Sequence, residues 1–344
     1  MSQPDERAAL LQRVLAFQRS SLAGAPSEPF NTLALDLHRF QVAHAPVVAA
    51  LTERPAHSWR QIPCVPISLY KDLPVGTVGP DEPAKTFLTS GTTGGGRGAH
   101  RMRCTTAYDA GALAWAATCV PSPPRHIIAL LHDPHHTPES SLSHMVALFS
   151  RWADAVDTPA PTWHLRDGRL HLASLVDALR TARAPVFCAA TAFALADALD
   201  HPLPPLPPGS VLMVTGGFKG HAVTLSDDAL YAKAQAALRP ARLVTEYGMT
   251  ELSSQLWGSP GQPYRAPPWL RVRAVHPATG QDVPTGEPGQ LCFYDLANLD
   301  ASVGVETLDL GALHDDGSLT LLGRIEGAEP RGCSLTVEEA WGRP

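Results

Sequence analysis

Nine consecutive residues, Ser90-Gly91-Thr92-Thr93-Gly94-Gly95-Gly96-Arg97-Gly98, combine five glycines, three hydroxyls and one cation shortly after the apolar pair Phe87-Leu88. Glycines let successive backbone N–H groups converge on an anion, hydroxyls add donors, and a guanidinium offsets negative charge. The chemistry is that of a phosphate-binding loop. It has neither the Gly-x-x-x-x-Gly-Lys-Ser/Thr order of a Walker A loop nor the Gly-x-Gly-x-x-Gly order that follows a strand in dinucleotide-binding folds. A glycine-rich run can also be a plain surface loop, so the weight falls on what accompanies it.

Two further groups accompany it. Thr245-Glu246-Tyr247-Gly248-Met249-Thr250-Glu251 sets an aromatic ring, a hydroxyl and a carboxylate within five residues, and Thr307-Leu308-Asp309-Leu310-Gly311 is followed by Gly323-Arg324. Taken singly, Tyr247 reads as core packing, Glu251 as a solvated carboxylate at a helix start, and Asp309 before apolar and glycine neighbours as a turn residue. In this order and over this span, the three groups resemble the phosphate loop, the Tyr-Gly-x-Thr-Glu motif and the later Asp and Gly-Arg elements of the acyl-adenylate-forming superfamily. Those enzymes activate a carboxylate with ATP to give an acyl-AMP and pyrophosphate.

The resemblance implies roles. Thr89, Ser90, Gly91, Thr92, Thr93 and Gly94 would hold the ATP phosphates, with Arg97 as the loop's cation. Tyr247 and Gly248 would border the adenine, and Thr250 would lie near the phosphate and the reacting carboxylate. Glu251 would hold Mg²⁺, a hard cation suited to a carboxylate plus phosphate oxygens. Asp309 would accept the ribose hydroxyls, supported by Arg324. The chain departs from the family at Gly96, where proline is usual, and at Arg97, where lysine is usual: the cation is kept and the loop's stiffness is not.

Other polar groups are less specific. Thr215-Gly216-Gly217 follows the apolar run Val211 to Val214, so Gly216 and Gly217 fall at a strand's carboxyl end, where ligands enter open α/β sheets. Lys219 could add charge there or be a solvated surface lysine. His132, His135, His136 and His144 invite a zinc reading, but Asp133, Pro134 and Pro138 make an irregular loop and no cysteine lies nearby, so zinc is not expected. The segment from Pro138 to Met145 reads instead as a loop entering a helix with hydroxyl caps.

The elements that must position these groups follow from the apolar pattern. Leu10, Val14 and Phe17, widened by Leu11 and Leu15, predict an amphipathic helix over 5–22. From about Thr86, short apolar runs (126–131, 186–190, 211–214, 243–244) alternate with helical stretches at 172–183 and 227–238, which predicts parallel strands with crossover helices. After Trp257, Leu270, Val272 and Ala274 and then Leu291 and Phe293 read as half-buried strands, with a turn at 286–289 between them. The 33 prolines exceed the usual roughly 5% and gather at 121–124 and 202–208, which read as ordered connections. The expected fold is α/β: the large N-terminal domain of the acyl-adenylate-forming fold, with parallel or mixed sheets, helices and a small β-rich subdomain. The expected division is an opening helical segment over 1–85, a nucleotide-binding core over 86–260, a β-rich part over 261–325 and a tail over 326–344. The Ala107 to Ala117 stretch could line an acyl tunnel or be plain core.

Composition narrows the class. Charged residues at 17% and hydrophobic ones at 44% fit a globular enzyme, and a net charge of -6 leaves no basic footprint for nucleic acid. No membrane-spanning run and no signal-peptide order are visible. Six scattered cysteines without a Cys-x-x-Cys pair suit a reducing cytoplasm.

The family usually continues past the Gly-Arg element with a mobile small domain, which is not expected in this chain. The tail Gly327 to Leu335, with Pro138-Glu139-Ser140-Ser141 and Gly216-Gly217-Phe218-Lys219, resembles instead the acyl-protein synthetase branch, the activating component of the fatty acid reductase in bacterial luminescence. That resemblance implies an acyl group, fatty in that branch, passing from AMP to Cys333 and on to a protein acceptor such as a reductase or carrier protein. A thiolate attacks a mixed anhydride readily, and Arg331 would favour the thiolate. An inert buried cysteine is the plainer reading of Cys333. Two alternatives stand beside this one: a small ligase passing the acyl group directly to coenzyme A, a carrier protein or an amine, and a non-catalytic module that binds nucleotide or a partner.

Overall fold

The computed structural model describes residues 2–79, 81–82, 85–89, 96–120, 126–152, 160–216 and 226–325. Its opening part is helical: α1 (Gln3–Leu22), α2 (Phe30–His44) and α3 (Pro46–Leu51). Ser2 caps α1 in a capping box with Asp5, and Leu10, Val14 and Phe17 form its buried face, as their spacing predicts. A two-residue strand, β1 (Val65–Pro66), and a single turn, α4 (Leu69–Asp72), lead to a hairpin of β2 (Lys85–Leu88) and β3 (Ala99–Met102). This hairpin is a separate antiparallel sheet with Phe87 opposite His100. The expected phosphate loop is its connection.

The central layer then alternates: α5 (Thr106–Cys119), β4 (Ile127–His132), α6 (Ser141–Trp152), β5 (Thr162–Arg166), β6 (Arg169–Leu170), α7 (Leu172–Thr181), β7 (Phe187–Thr191), α8 (Ala192–Leu199), β8 (Val211–Thr215), α9 (Asp227–Leu238), β9 (Arg242–Tyr247) and β10 (Leu256–Gly258). The sheet order is β10-β9-β8-β7-β4-β5-β6. Pairs β9–β8, β8–β7, β7–β4 and β4–β5 are parallel, and the short flanking strands β10 and β6 are antiparallel. Strands buried on both faces must be apolar on both. Ile128, Leu130, Cys188, Ala190, Leu212 and Val214 face α7, α8 and α9. Ile127, Ala129, Leu131, Phe187, Ala189 and Met213 face α5 and α6 instead. Ala112 and Ala116 of α5 sit in that second core and Ala107 in the core under α1 and α2, so these alanines are packing residues. The expected helix at 227–238 is α9, capped by Ser226 with Asp227 and Asp228 in its first turn.

A second sheet follows from β11 (Leu270–Val275), β12 (Pro288–Asp295), β13 (Gly304–Leu313) and β14 (Leu319–Arg324), with antiparallel pairs β11–β12, β12–β13 and β13–β14. Pro288 and Gly289 already belong to β12, so the turn expected over 286–289 ends earlier. The opening segment also contributes here. β1 runs parallel to β13, with Val65 opposite Val305. Leu10, Phe17, Leu33 and Leu37 of α1 and α2 share one core with Trp269, Tyr294 and Leu296. No helix among the described residues is long and apolar enough to cross a membrane.

Candidate active site

The site forms where β9 of the central sheet meets β13 of the second sheet. Tyr247 ends β9, and its hydroxyl donates to Asp309 Oδ2 at 2.6 Å. Arg324 Nε lies 3.1 Å from Asp309 Oδ1, and Asp309 and Arg324 face one another in the β13–β14 register. Tyr247 stacks on Phe293 of β12 with ring centroids 5.8 Å apart and meets Tyr264 edge-on at 6.1 Å. One aromatic ring, one carboxylate 62 residues further along the chain and a guanidinium on the neighbouring strand are therefore a single contact network.

The turn after β9 is fixed from several directions. Thr250 reaches Leu88 O of β2 through its hydroxyl at 3.5 Å, and its carbonyl accepts from His100 Nδ1 of β3 at 2.7 Å. The Glu251 carbonyl accepts from Asn298 Nδ2 at 2.9 Å, and the Ser253 N–H donates to Asp295 at 3.0 Å. Asp295 also accepts from the Ser254 hydroxyl and the Ala297 N–H. Burial pushes its carboxyl up to about 6. From α2, Gln41 holds the 298–303 loop through Asn298 O and Val303 N. From α1, Arg7 pairs with the buried Asp300 at 2.6 Å. The opening helices thus position Glu251 through the loop that grips it.

Glu246 was not singled out by sequence, yet it is one of the most perturbed groups at the site. It is buried at the end of β9, accepts from the Thr215 hydroxyl across the β8–β9 pair, and is pushed up to about 7 by burial. A Cβ on Gly248 would come within 2.5 Å of Glu246 Oε1, so glycine is the residue that lets this carboxyl fold against the turn. Gly216 follows Thr215 with φ at 73°, a conformation glycine adopts without strain.

Arg97 donates through Nε to Thr89 O at 2.6 Å and pairs with Glu139 at 3.1 Å, while the Thr89 hydroxyl accepts from the Gly98 N–H. The base of the hairpin loop is closed by these bonds. Ser140 caps the start of α6, as expected. His144 Nε2 meets Asp109 at 2.8 Å, and among the described residues no cluster of three or more His, Cys, Asp or Glu side chains could hold a metal. Ser90, Gly91, Thr92, Thr93, Gly94, Gly217, Lys219 and Cys333 lie outside the described residues.

The missed groups left little trace in sequence. His100, Asp295, Asn298 and Asp300 are each at most 3% exposed, yet three of them sit in a polar loop that reads as surface. The signal that could have found that loop is its interleaving of Asp295, Asn298 and Asp300 with Leu296, Leu299 and Val303, which a solvated turn does not need.

This architecture is the acyl-adenylate-forming fold. Its structural neighbours include the o-succinylbenzoate coenzyme A synthetase of Bacillus subtilis in complex with AMP, at 18% identity and a TM-score of 0.51 over 70% of this chain and 49% of that one. The same enzyme matches in complex with ATP and magnesium ion (19% identity, TM-score 0.50, 71% and 51% covered). It matches again with its acyl-adenylate intermediate (18% identity, TM-score 0.50, 70% and 48% covered). The chain spans about half the length of these neighbours, and at such identity the likeness is one of fold. No protein-family model matches the chain, and no curated protein sequence does.

Proposed function

We propose that this chain activates a carboxylic acid with ATP, forming an acyl-AMP and pyrophosphate. The observation that carries the reading is the Tyr247–Asp309–Arg324 network joined to the turn that holds Glu251, because it links the Tyr-Gly-x-Thr-Glu motif to the later Asp and Gly-Arg elements, from which the aromatic, metal-holding and ribose-accepting groups are expected. The donor set fits the cofactors. Glu251 is a buried carboxylate, a hard oxygen donor of the kind that suits a cation shared with phosphate oxygens. Magnesium, when bound, supplies positive charge to the triphosphate. The residues do the positioning. Tyr247, backed by the buried Phe293, offers an aromatic wall for the adenine, and Asp309, oriented by Arg324, accepts the ribose hydroxyls. Thr250, held at the base of the 89–98 loop, orients the acid. The substrate carboxylate oxygen then bonds to the α-phosphorus as the bond to the departing pyrophosphate breaks.

In the finer reading the acid is fatty, and the thiolate of Cys333 attacks the acyl carbonyl to form a thioester. AMP leaves with the electron pair, and a protein partner accepts the acyl group. This is supported by the resemblance of the 327–335 segment to the acyl-protein synthetase branch. Transfer straight to coenzyme A is the second reading, favoured because the neighbours are coenzyme A synthetases. Incubation with ATP, Mg²⁺ and a panel of carboxylic acids, followed by pyrophosphate exchange and intact mass, tests both. Exchange should appear in the wild type and in Cys333→Ser alike. The hydroxylamine-sensitive adduct should appear in the wild type alone. No exchange with any acid removes the activation reading. An adduct that survives Cys333→Ser, or maps to Cys104 or Cys188, removes only the carrier role.

A further inference from the structure

His100 is buried, with 1% of its surface exposed, on the strand that follows the 89–98 loop. Its Nδ1 lies 2.7 Å from the Thr250 carbonyl oxygen. A carbonyl only accepts, so Nδ1 must carry the proton. Thr250 is thereby held to both strands of the hairpin, to β2 through its hydroxyl and Leu88 O, and to β3 through its carbonyl and His100. Phe87 and His100 are register partners, so these two attachments sit side by side at the base of the loop.

The far side of the ring is also informative. Among the described residues His100 Nε2 has no hydrogen-bond partner, and neither has the Ser253 hydroxyl. Both residues line one small cavity of about 10 Å³, bounded also by Arg7, Cys104 and Asp300. That is room for a single water, and a small space lined by residues with unmet buried polar atoms is the usual condition for an ordered internal water. Asp300 is already engaged by Arg7 and by the Arg103 N–H. A neutral ring that donates from Nδ1 and accepts at Nε2 from that water satisfies every group. Burial keeps the imidazole neutral at pH 7 by pushing it down to about 4.

We propose that His100 is a positioning residue for the adenylation step. As the Nδ1-protonated tautomer, backed by one buried water shared with Ser253, it fixes Thr250 against the phosphate-loop hairpin. The inference rests on the activation reading for its kinetic consequence but not for its chemistry. His100→Leu removes the donor at similar volume. His100→Asn keeps an amide N–H near the place of Nδ1.

Wild-type exchange is measured first, and its absence would sink the activation reading without touching the tautomer. In the active protein, His100→Leu should lower kcat about 10-fold or more, the cost of an unmet buried hydrogen bond. KM for ATP should change little, because the adenine and ribose contacts proposed above lie on β9 and β13 and the ring itself faces Thr250, and His100→Asn should recover most of kcat. Thermal unfolding of each variant, read beside the kinetics, identifies a mere loss of fold. Independently, ¹⁵N-histidine spectra at pH 7, with the His100 signal assigned by its loss in His100→Asn, should show Nδ1 protonated and Nε2 bare. An Nε2-protonated or doubly protonated ring overturns the proposal, as does a His100→Leu enzyme with wild-type kcat.

Discussion

The two sheets meet where Tyr247 donates to Asp309, yet they are built on opposite plans. In the central sheet, β7 and β8 are buried along their whole length and carry almost nothing polar until the last residue, Thr191 or Thr215. In the second sheet, β12 ends at Asp295 and β13 carries Thr307 and Asp309 within its span. The parallel strands owe their place to helices on both faces, so their chemistry is confined to their carboxyl ends. The antiparallel strands keep polar groups inside because each finds a partner: Thr307 donates to Leu291 O and accepts from the Asp309 N–H, while Asp309 meets Tyr247 and Arg324. A buried polar group without such a partner costs a few kcal/mol. The difference teaches where each half of the site is vulnerable: at loop ends in the first sheet, within the strands in the second.

The largest effect is expected from losing either half of the junction. Glu251→Gln removes the carboxylate at the turn after β9 and should lower carboxylate-dependent pyrophosphate exchange by about 10² to 10³, the usual size for one preorganised charge-stabilising group. Asp309→Ala should also remove most exchange, with an added loss of stability because the guanidinium of Arg324, itself only 15% exposed, is left without its carboxylate. If the two regions act as stated, Glu251→Gln unfolds at the wild-type temperature and Asp309→Ala does not. Near-normal exchange in both would remove the adenylation reading.

A middle-sized effect should separate the sheets by pH. Glu246, at the end of β9, has its carboxyl raised to about 7 against an ordinary 4.5. The folded protein therefore holds a proton that the unfolded chain has released, and stability falls as pH rises from about 4.5 through about 7. Glu246→Gln keeps an acceptor for the Thr215 hydroxyl without a charge to desolvate. The variant should lose that downward slope and be more stable than wild type at pH 8, by an amount on the order of 1–3 kcal/mol. Asp295, raised to about 6, keeps a smaller slope of the same sign at lower pH in both proteins. Unfolding midpoints in urea between pH 4.5 and 8 measure this. Parallel curves for variant and wild type would show that the Glu246 carboxyl is ionised in the fold at no cost.

The same contrast decides what could be read from sequence. Continuous apolar runs at 126–131, 186–190 and 211–214 announce buried parallel strands, and the stripe of α1 and the capped start of α9 announce helices, because each pattern is local. Tyr247, Asp309 and Arg324 stand out in sequence for the same reason, as short local strings, and the fold brings them into contact. β1 was not legible, since two residues pairing with a strand some 240 positions later leave no periodicity. Nor was the 295–303 loop, whose polar side chains look like those of a solvated turn until the fold supplies Gln41, Ser253, Ser254 and Arg7 as partners. His100 hides in the same way: a histidine between glycine-rich and basic residues reads as part of a surface loop, and only strand pairing brings it to Thr250.

The smallest effect should come from Arg97, and it sharpens the contrast by testing a loop base rather than a sheet. The side chain is about two-fifths exposed and already bonded twice, to Thr89 O and to Glu139. Exposed ion pairs are worth at most about 1 kcal/mol, and the charge of a bound triphosphate would be shared among loop amides, hydroxyls and magnesium. Arg97→Ala should therefore raise KM for ATP by no more than about fivefold and leave kcat nearly unchanged. Arg97→Lys, which keeps the charge but not the planar fork that spans Thr89 and Glu139, separates the two contributions. Recovery in Arg97→Lys assigns the effect to charge on the nucleotide, whereas a shared defect assigns it to the shape of the loop base. A loss in Arg97→Ala as deep as that in Glu251→Gln would overturn the ranking and make this loop cation, rather than the turn after β9, the principal source of charge stabilisation.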